Sequence, residues 1–150
     1  MDALELLKED HEKVAGLFEQ IETDEDGANQ EQLFAQIKQE LDVHANAEEK
    51  VFYPRLKEIA EMRDITFEAI EEHQEIKNLL AELETMSADD DDWEDTISEL
   101  RDTVEHHVEE EEGEMFPQVR EILSQEEINQ LGKQLEAEKQ KQLKTSTAGR

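Results

Sequence analysis

The sequence predicts an all-α fold: an antiparallel up-down four-helix bundle built from a duplicated helix pair, plus a C-terminal fifth helix. Three observations carry this. Apolar residues recur with the helical period, and no strand-like alternation of useful length appears. Only 2 Pro and 5 Gly interrupt 150 residues. The second half also repeats the first, since His11, Val14, Leu17, Phe18 and Ile21 match His73, Ile76, Leu79, Leu80 and Leu83. Two such pairs, joined by short loops, satisfy the pattern as four antiparallel neighbours.

The first helix is expected over Ala3–Glu22, capped by Asp2, with Leu4, Leu7, Val14, Leu17, Phe18 and Ile21 on its apolar stripe and His11 set into that stripe. Thr23 to Asn29 reads as a turn. The second helix starts near Gln30 and carries Leu33, Ile37, Leu41, Val51 and Phe52, with His44 and Glu48 on the same face. Pro54 should bend it without ending it, because Leu56, Ile59 and Ala60 continue the pattern. Arg63-Asp64 reads as a short connection. A third helix then carries Phe67, Ile70, Ile76, Leu79, Leu80 and Leu83, with His73 in its stripe, and stops near Met86. After the acidic linker Ser87 to Asp92, a fourth helix bears Trp93, Ile97, Leu100, Val104, Met115, Val119 and Ile122, with His107 and Glu111 inward. Ser124 to Glu127 resembles a capping box for a fifth helix presenting Ile128, Leu131 and Leu135. The expected organisation is a bundle domain over 1–123, a helix over 124–143 packed on or extending from it, and a frayed tail over 144–150.

Composition narrows the function. Cysteine is absent, so a metal must be held by nitrogen and oxygen. The N-terminus lacks the basic and apolar regions of a signal peptide, and no run is long and apolar enough to span a membrane. These features predict a soluble cytoplasmic protein with no membrane partner. A net charge of -28, from 43 acidic against 15 basic residues, would repel a phosphate backbone and argues against nucleic acid as a partner.

The chemistry lies in the repeat. His44-x-x-x-Glu48 and His107-x-x-x-Glu111 each place an imidazole and a carboxylate on one helix face, and each is followed by an aromatic and a Pro, at Pro54 and Pro117. With His11 and His73, these are six polar side chains where a bundle normally places Leu or Ile. Each would cost several kcal/mol if buried without a partner. One His on an apolar stripe is ordinarily a hydrogen-bonded core residue; four at matched heights in two repeats point to metal. The six could serve one six-coordinate ion or two ions, and the symmetric set favours two: His11 with His44, His73 with His107, and Glu48 and Glu111 bridging. Positions then remain for an oxo, hydroxo or water bridge and an exogenous small molecule. Mixed nitrogen and oxygen ligation suits iron best, with manganese and zinc as competitors. By helical phase, His106 faces a flank or solvent, and Glu49, Glu109, Glu110 and Glu112 read as surface charge. The spacings match neither a zinc protease, nor an EF-hand, nor the ferritin-like Glu-x-x-His set.

This arrangement resembles the hemerythrin-like, or HHE cation-binding, family over residues 2 to 123. The resemblance implies a four-helix bundle around a non-heme di-iron centre, two iron ions with an oxo or hydroxo bridge, held by His11, His44, Glu48, His73, His107 and Glu111. One departure concerns function. Oxygen-carrying hemerythrins have a fifth His one turn after the third-helix ligand, where this chain has Lys77. Tyr53 is the nearest phenol able to complete a coordination sphere, although a Tyr beside an apolar motif ordinarily packs with its hydroxyl at the surface. The expected function is binding of, or reaction with, O2, NO or peroxide inside a sleeve of Leu7, Val14, Leu41, Ile70, Ile76 and Val104, in a metal-binding protein rather than a dedicated enzyme. The alternative is an iron buffer or sensor without turnover.

Overall fold

A computed structural model describes residues 1–24 and 27–148. The chain is helical almost throughout. Its elements are α1 (Ala3–Glu22), α2 (Gln30–Ala47), a π turn (Glu48–Phe52), α3 (Tyr53–Lys57), a 3-10 turn (Ala60–Met62), α4 (Arg63–Glu84), α5 (Trp93–Glu110), a second π turn (Glu111–Met115), α6 (Phe116–Ile122) and α7 (Gln125–Ala148). The four long rods are α1, α2 with α3, α4, and α5 with α6.

Local chemistry explains the boundaries. Asp2 closes a capping box on α1, its Oδ1 accepting from Glu5 N–H at 2.9 Å while its own N–H reaches Glu5 Oε1 at 3.4 Å. Gly27, at φ 69, supplies the left-handed residue of the α1–α2 turn; Glu25 and Asp26 of that expected turn lie outside the described residues. Ser124 caps α7, its Oγ accepting from Glu127 N–H at 3.1 Å.

Several expectations are corrected. The connection before α4 is not Arg63-Asp64. The chain leaves helical geometry at Ile59 (φ -99, ψ 114), and Arg63 and Asp64 form the first turn of α4. Phe67 is 52% exposed, with the Lys57 ammonium 5.7 Å over its ring, because the inward face of α4 runs through Thr66, Ala69, His73, Ile76, Leu80 and Leu83. Ile122 is likewise partly exposed, at 39%. The last helix passes Leu143 and continues to Ala148, since adding a residue to an existing helix costs far less than nucleating one. Gly149 and Arg150, the end of the expected frayed tail, lie outside the described residues.

Instead of a simple proline kink, each repeat contains a π turn that begins at its ligand Glu. Tyr53 N–H bonds to Glu48 O and Phe116 N–H bonds to Glu111 O, five residues back in both cases. Pro54 and Pro117 follow at the start of α3 and α6, where a missing donor is tolerated. In a regular α-helix five residues would turn Tyr53 about 140° away from Glu48. The wider turn brings both side chains to the same side, the use to which π-bulges at functional sites are often put.

Two apolar clusters fill the interior. One gathers Leu4, Leu7, Phe52, Leu56, Met115 and Phe116 with Ile128, Leu131 and Leu135 of α7. The other gathers Val14, Phe18, Ile37, Ile76, Leu80, Trp93 and Leu100. α7 packs along α1 and α2, close enough that a Cβ on Gly132 would meet Met1 O at 2.7 Å. The polar residues of the repeat lie between the clusters.

Candidate metal centre

All six expected residues converge in the bundle interior. His11, His44, Glu48, His73, His107 and Glu111 are each buried, Glu48 completely. Each carboxylate lies between imidazoles of two different helices. Glu48 Oε1 is 3.0 Å from His44 Nε2 and 3.1 Å from His73 Nε2. Glu111 Oε1 is 3.1 Å from His11 Nε2, and its Oε2 is 3.2 Å from His107 Nε2. The donors form two overlapping sets, Glu48, His73, His107 and Glu111 in one, His11, His44 and Glu111 in the other, with the donor atoms of each set within 4.8 Å of one another. Close as they are, His11 Nε2, His44 Nε2, His107 Nε2, both Glu48 oxygens and Glu111 Oε1 have no hydrogen-bond partner among the described residues. Buried polar atoms are almost always satisfied. Six orphans aimed at one centre, all nitrogen and carboxylate oxygen, fit a cation.

An outer ring of carboxylates fixes the imidazoles. His44 Nδ1–H donates to Asp10 at 2.8 Å and His107 Nδ1–H to Glu72 at 2.7 Å. His11 Nδ1–H donates to Glu112 at 2.6 Å and His73 Nδ1–H to Glu49 at 2.9 Å. With the Nδ1 atoms donating, every Nε2 lone pair faces inward, the tautomer a metal ligand needs. Glu49 and Glu112 are therefore not surface charge. They lie off the inward helical phase, but a Glu is long enough to reach the flank of a neighbouring helix's imidazole. Their signal in the sequence is positional: Asp10 and Glu72 each precede a ligand His, and Glu49 and Glu112 each follow a ligand Glu. His106 does face outward, as expected, its side chain 65% exposed.

The electrostatics follow from this packing. Burial alone would depress His44, but the Glu48 charge and the bond to Asp10 prevail and push it up to about 10. Burial opposes protonation of His107 too, yet Glu111 and Glu72 hold it well above the ordinary imidazole range. Burial would raise the Glu111 carboxyl, whereas His107 and His11 keep it well below the usual carboxylate range. Asp10 is lowered against burial by His44 and by Lys139, a residue of α7 paired with it.

Tyr53 reverses its expected orientation. It is fully buried and its hydroxyl donates to Glu111 Oε2 at 2.7 Å, 3.2 Å from His73 Nε2. Burial, with the charges of Glu111 and Glu48, raises its phenol well above its ordinary value. The matching residue of the second repeat is Phe116, whose ring stacks with His11 at 6.3 Å. Lys77 stands where a fifth His would be and pairs with Glu49 at 3.1 Å.

Beside the imidazoles is a cavity of about 30 Å³ walled by Val14, Leu41, Ala45, Ile76, Val104 and Val108. Leu7 and Ile70, expected in this sleeve, pack instead with the α7-side cluster. Leu7 lies one turn before His11 and Ile70 about one turn before His73, on the far side of the polar layer from Val14 and Ile76.

The fold and this centre define a metal-binding helical bundle. The chain belongs to the hemerythrin HHE cation binding domain family, whose match covers residues 2–119. A crystal structure of a hemerythrin HHE cation binding domain-containing protein from Mycobacterium kansasii superposes with a TM-score of 0.85 at 25% identity, covering 99% of this chain and 91% of that one. An uncharacterized hemerythrin-like protein of Schizosaccharomyces pombe is 28% identical over 120 residues, 79% of this chain and 59% of the relative. A Nostoc protein named DNA nickase is 33% identical over 141 residues, 94% of this chain and 40% of the relative. The chain thus spans only part of the length of both curated relatives. Among the described residues no helix is long and apolar enough to cross a membrane.

Proposed function

We propose that the chain is a cytoplasmic non-heme di-iron protein that binds or reacts with O2, NO or H2O2. The observation that carries this reading is the set of six unpartnered buried atoms next to an apolar cavity. His11 and His44 would hold one ion, His73 and His107 the other, with Glu48 and Glu111 shared and Tyr53 in reach of the second. A pair of iron ions supplies redox equivalents and Lewis acidity to a small ligand. The residues of the chain do the rest: Asp10, Glu49, Glu72 and Glu112 orient the imidazoles, while the valines and Leu41 keep the cavity small and dry, favouring uncharged diatomic molecules or peroxide.

Anaerobic iron loading followed by metal analysis, then exposure to O2, NO or H2O2 with optical spectra, tests the proposal. Two ions per chain and a new absorption band on exposure are expected, both lost in Glu48→Gln with Glu111→Gln. Less than one ion per chain and a silent spectrum would overturn it.

The second reading, an iron buffer or sensor without turnover, is supported by the outer carboxylate ring that orients the imidazoles. Large destabilisation by chelator without peroxide consumption favours it; turnover abolished by His44→Ala or His107→Ala favours chemistry. The nickase name of the Nostoc relative does not extend readily to this chain, because a net charge of -28 opposes docking on a phosphate backbone.

A further inference from the structure

The two repeats differ on their outer faces. In the first, α7 lies along α1 and α2, Lys139 pairs with Asp10, and Val43 and Ala47 are buried. Counting on through the repeat, the counterparts of Val43 and Ala47 are His106 and Glu110, on a face that α7 leaves open. His106 Nε2 lies 3.1 Å from Glu110 Oε1 and 3.7 Å from Glu72 Oε2, and one donor atom from each of the three falls within 4.8 Å of the others. Among the described residues their ion pairs are with imidazoles alone. The charge of Glu68 adds to the negative field there.

Glu72 belongs to both surroundings. Its Oε2 faces His106, and its Oε1 accepts from His107 Nδ1 at 2.7 Å. Glu72 and Glu110 of this cluster line a crevice of about 10 Å³ between α4 and α5, whose walls also include Ala69, Met115, His107 and Glu111. The last two are more than nine-tenths buried, and His107 Nε2 and Glu111 Oε1 have no hydrogen-bond partner among the described residues. A volume of about 10 Å³ is room for roughly one water-sized particle.

We propose that Glu72, His106 and Glu110 form an outer divalent-cation site that takes the ion from solvent and passes it through the α4/α5 crevice to His107 and Glu111. Two carboxylates and an imidazole suit a borderline divalent ion of the Fe2+, Mn2+ or Co2+ kind. Partial exposure lets the ion arrive hydrated and shed water in steps, and the strongly negative surface concentrates it at the mouth.

This inference rests on the reading of the inner six residues as metal ligands, and Co2+ separates the two. Metal-free protein is mixed with Co2+ and filling of the inner set is followed by visible absorption in a stopped-flow instrument, for wild type, His106→Gln, Glu110→Gln and, as a charge control on the same helix, Glu99→Gln. His106→Gln and Glu110→Gln should fill about tenfold more slowly, at the low end of what charge focusing contributes to an on-rate, with final Co2+ content unchanged; Glu99→Gln should fill like wild type. Equal rates in all four proteins, or equal slowing in all three variants, overturn the outer site while leaving the inner one standing. Wild type that takes up no Co2+ overturns both.

Discussion

Tyr53 is the only tyrosine in the chain, so any phenolate absorbance reports on it alone. Burial and the neighbouring Glu111 and Glu48 charges hold the phenol well above its ordinary 10.0. An alkaline difference spectrum of metal-free protein should therefore show no ionisation at pH 10, and a bound cation, by neutralising those carboxylates, should bring phenolate absorbance toward neutral pH. Tyr53→Phe removes a hydrogen bond to a buried carboxylate and should destabilise the metal-free protein by about 1–3 kcal/mol in a urea melt. The histidines set the pH response. His44 rises from 6.5 to about 10 on folding, so its contribution to stability is complete below pH 6.5 and is lost as pH rises through about 10. Glu111 is lowered, so its contribution is present above pH 4.5 and is lost as pH falls through the depressed value. Thermal melts of metal-free protein should accordingly peak in mild acid and decline toward pH 10, with the alkaline decline flattened in His44→Gln. Cation binding needs neutral imidazoles and should release protons, which pH-stat titration measures.

At the scale of the element, the two π turns decide which side chains enter the centre. Inserting an Ala after exposed Lys50 would add one residue more than the first π turn absorbs and rotate Tyr53 by about 100° away from Glu48. Metal content should fall while far-ultraviolet circular dichroism keeps its helical form. Glycines in different elements should respond in opposite directions. A Cβ on Gly113, in the second π turn, meets nothing within 4 Å and φ is not positive, so Gly113→Ala should stabilise by about 0.4–1 kcal/mol through the unfolded state. A Cβ on Gly132 meets Met1 and Ala3 backbone atoms at 2.7 and 2.9 Å. Gly132→Ala should push α7 off α1 and cost about 1–3 kcal/mol by overpacking. Paired denaturation curves compare the two.

For the molecule as a whole, a charge of -28 works against compaction, and the buried carboxylates of the centre concentrate that problem inside. Chelator should lower the melting temperature of loaded protein. Salt should raise that of the metal-free form, since at 0.15 M the screening length is about 8 Å; a gain of about 1 kcal/mol would appear as about 2–4 °C. Calorimetry across a salt series, with and without metal, reads both effects.

The sequence by itself determined the bundle, the duplication and the identity of the six inward residues, because helical period and repeat spacing are local and survive in one dimension. It placed α1 and the start of α5 at the observed residues. The tertiary structure alone decided what lies around that centre. Asp10, Glu49, Glu72 and Glu112 act across helices, so their phase on their own helix hides them. Tyr53 turns inward only because a π turn adds a residue to the helical repeat. α7 covers one of two repeats that match in sequence. Which of two equivalent faces is closed depends on where a distant segment packs, and helical periodicity carries no record of that.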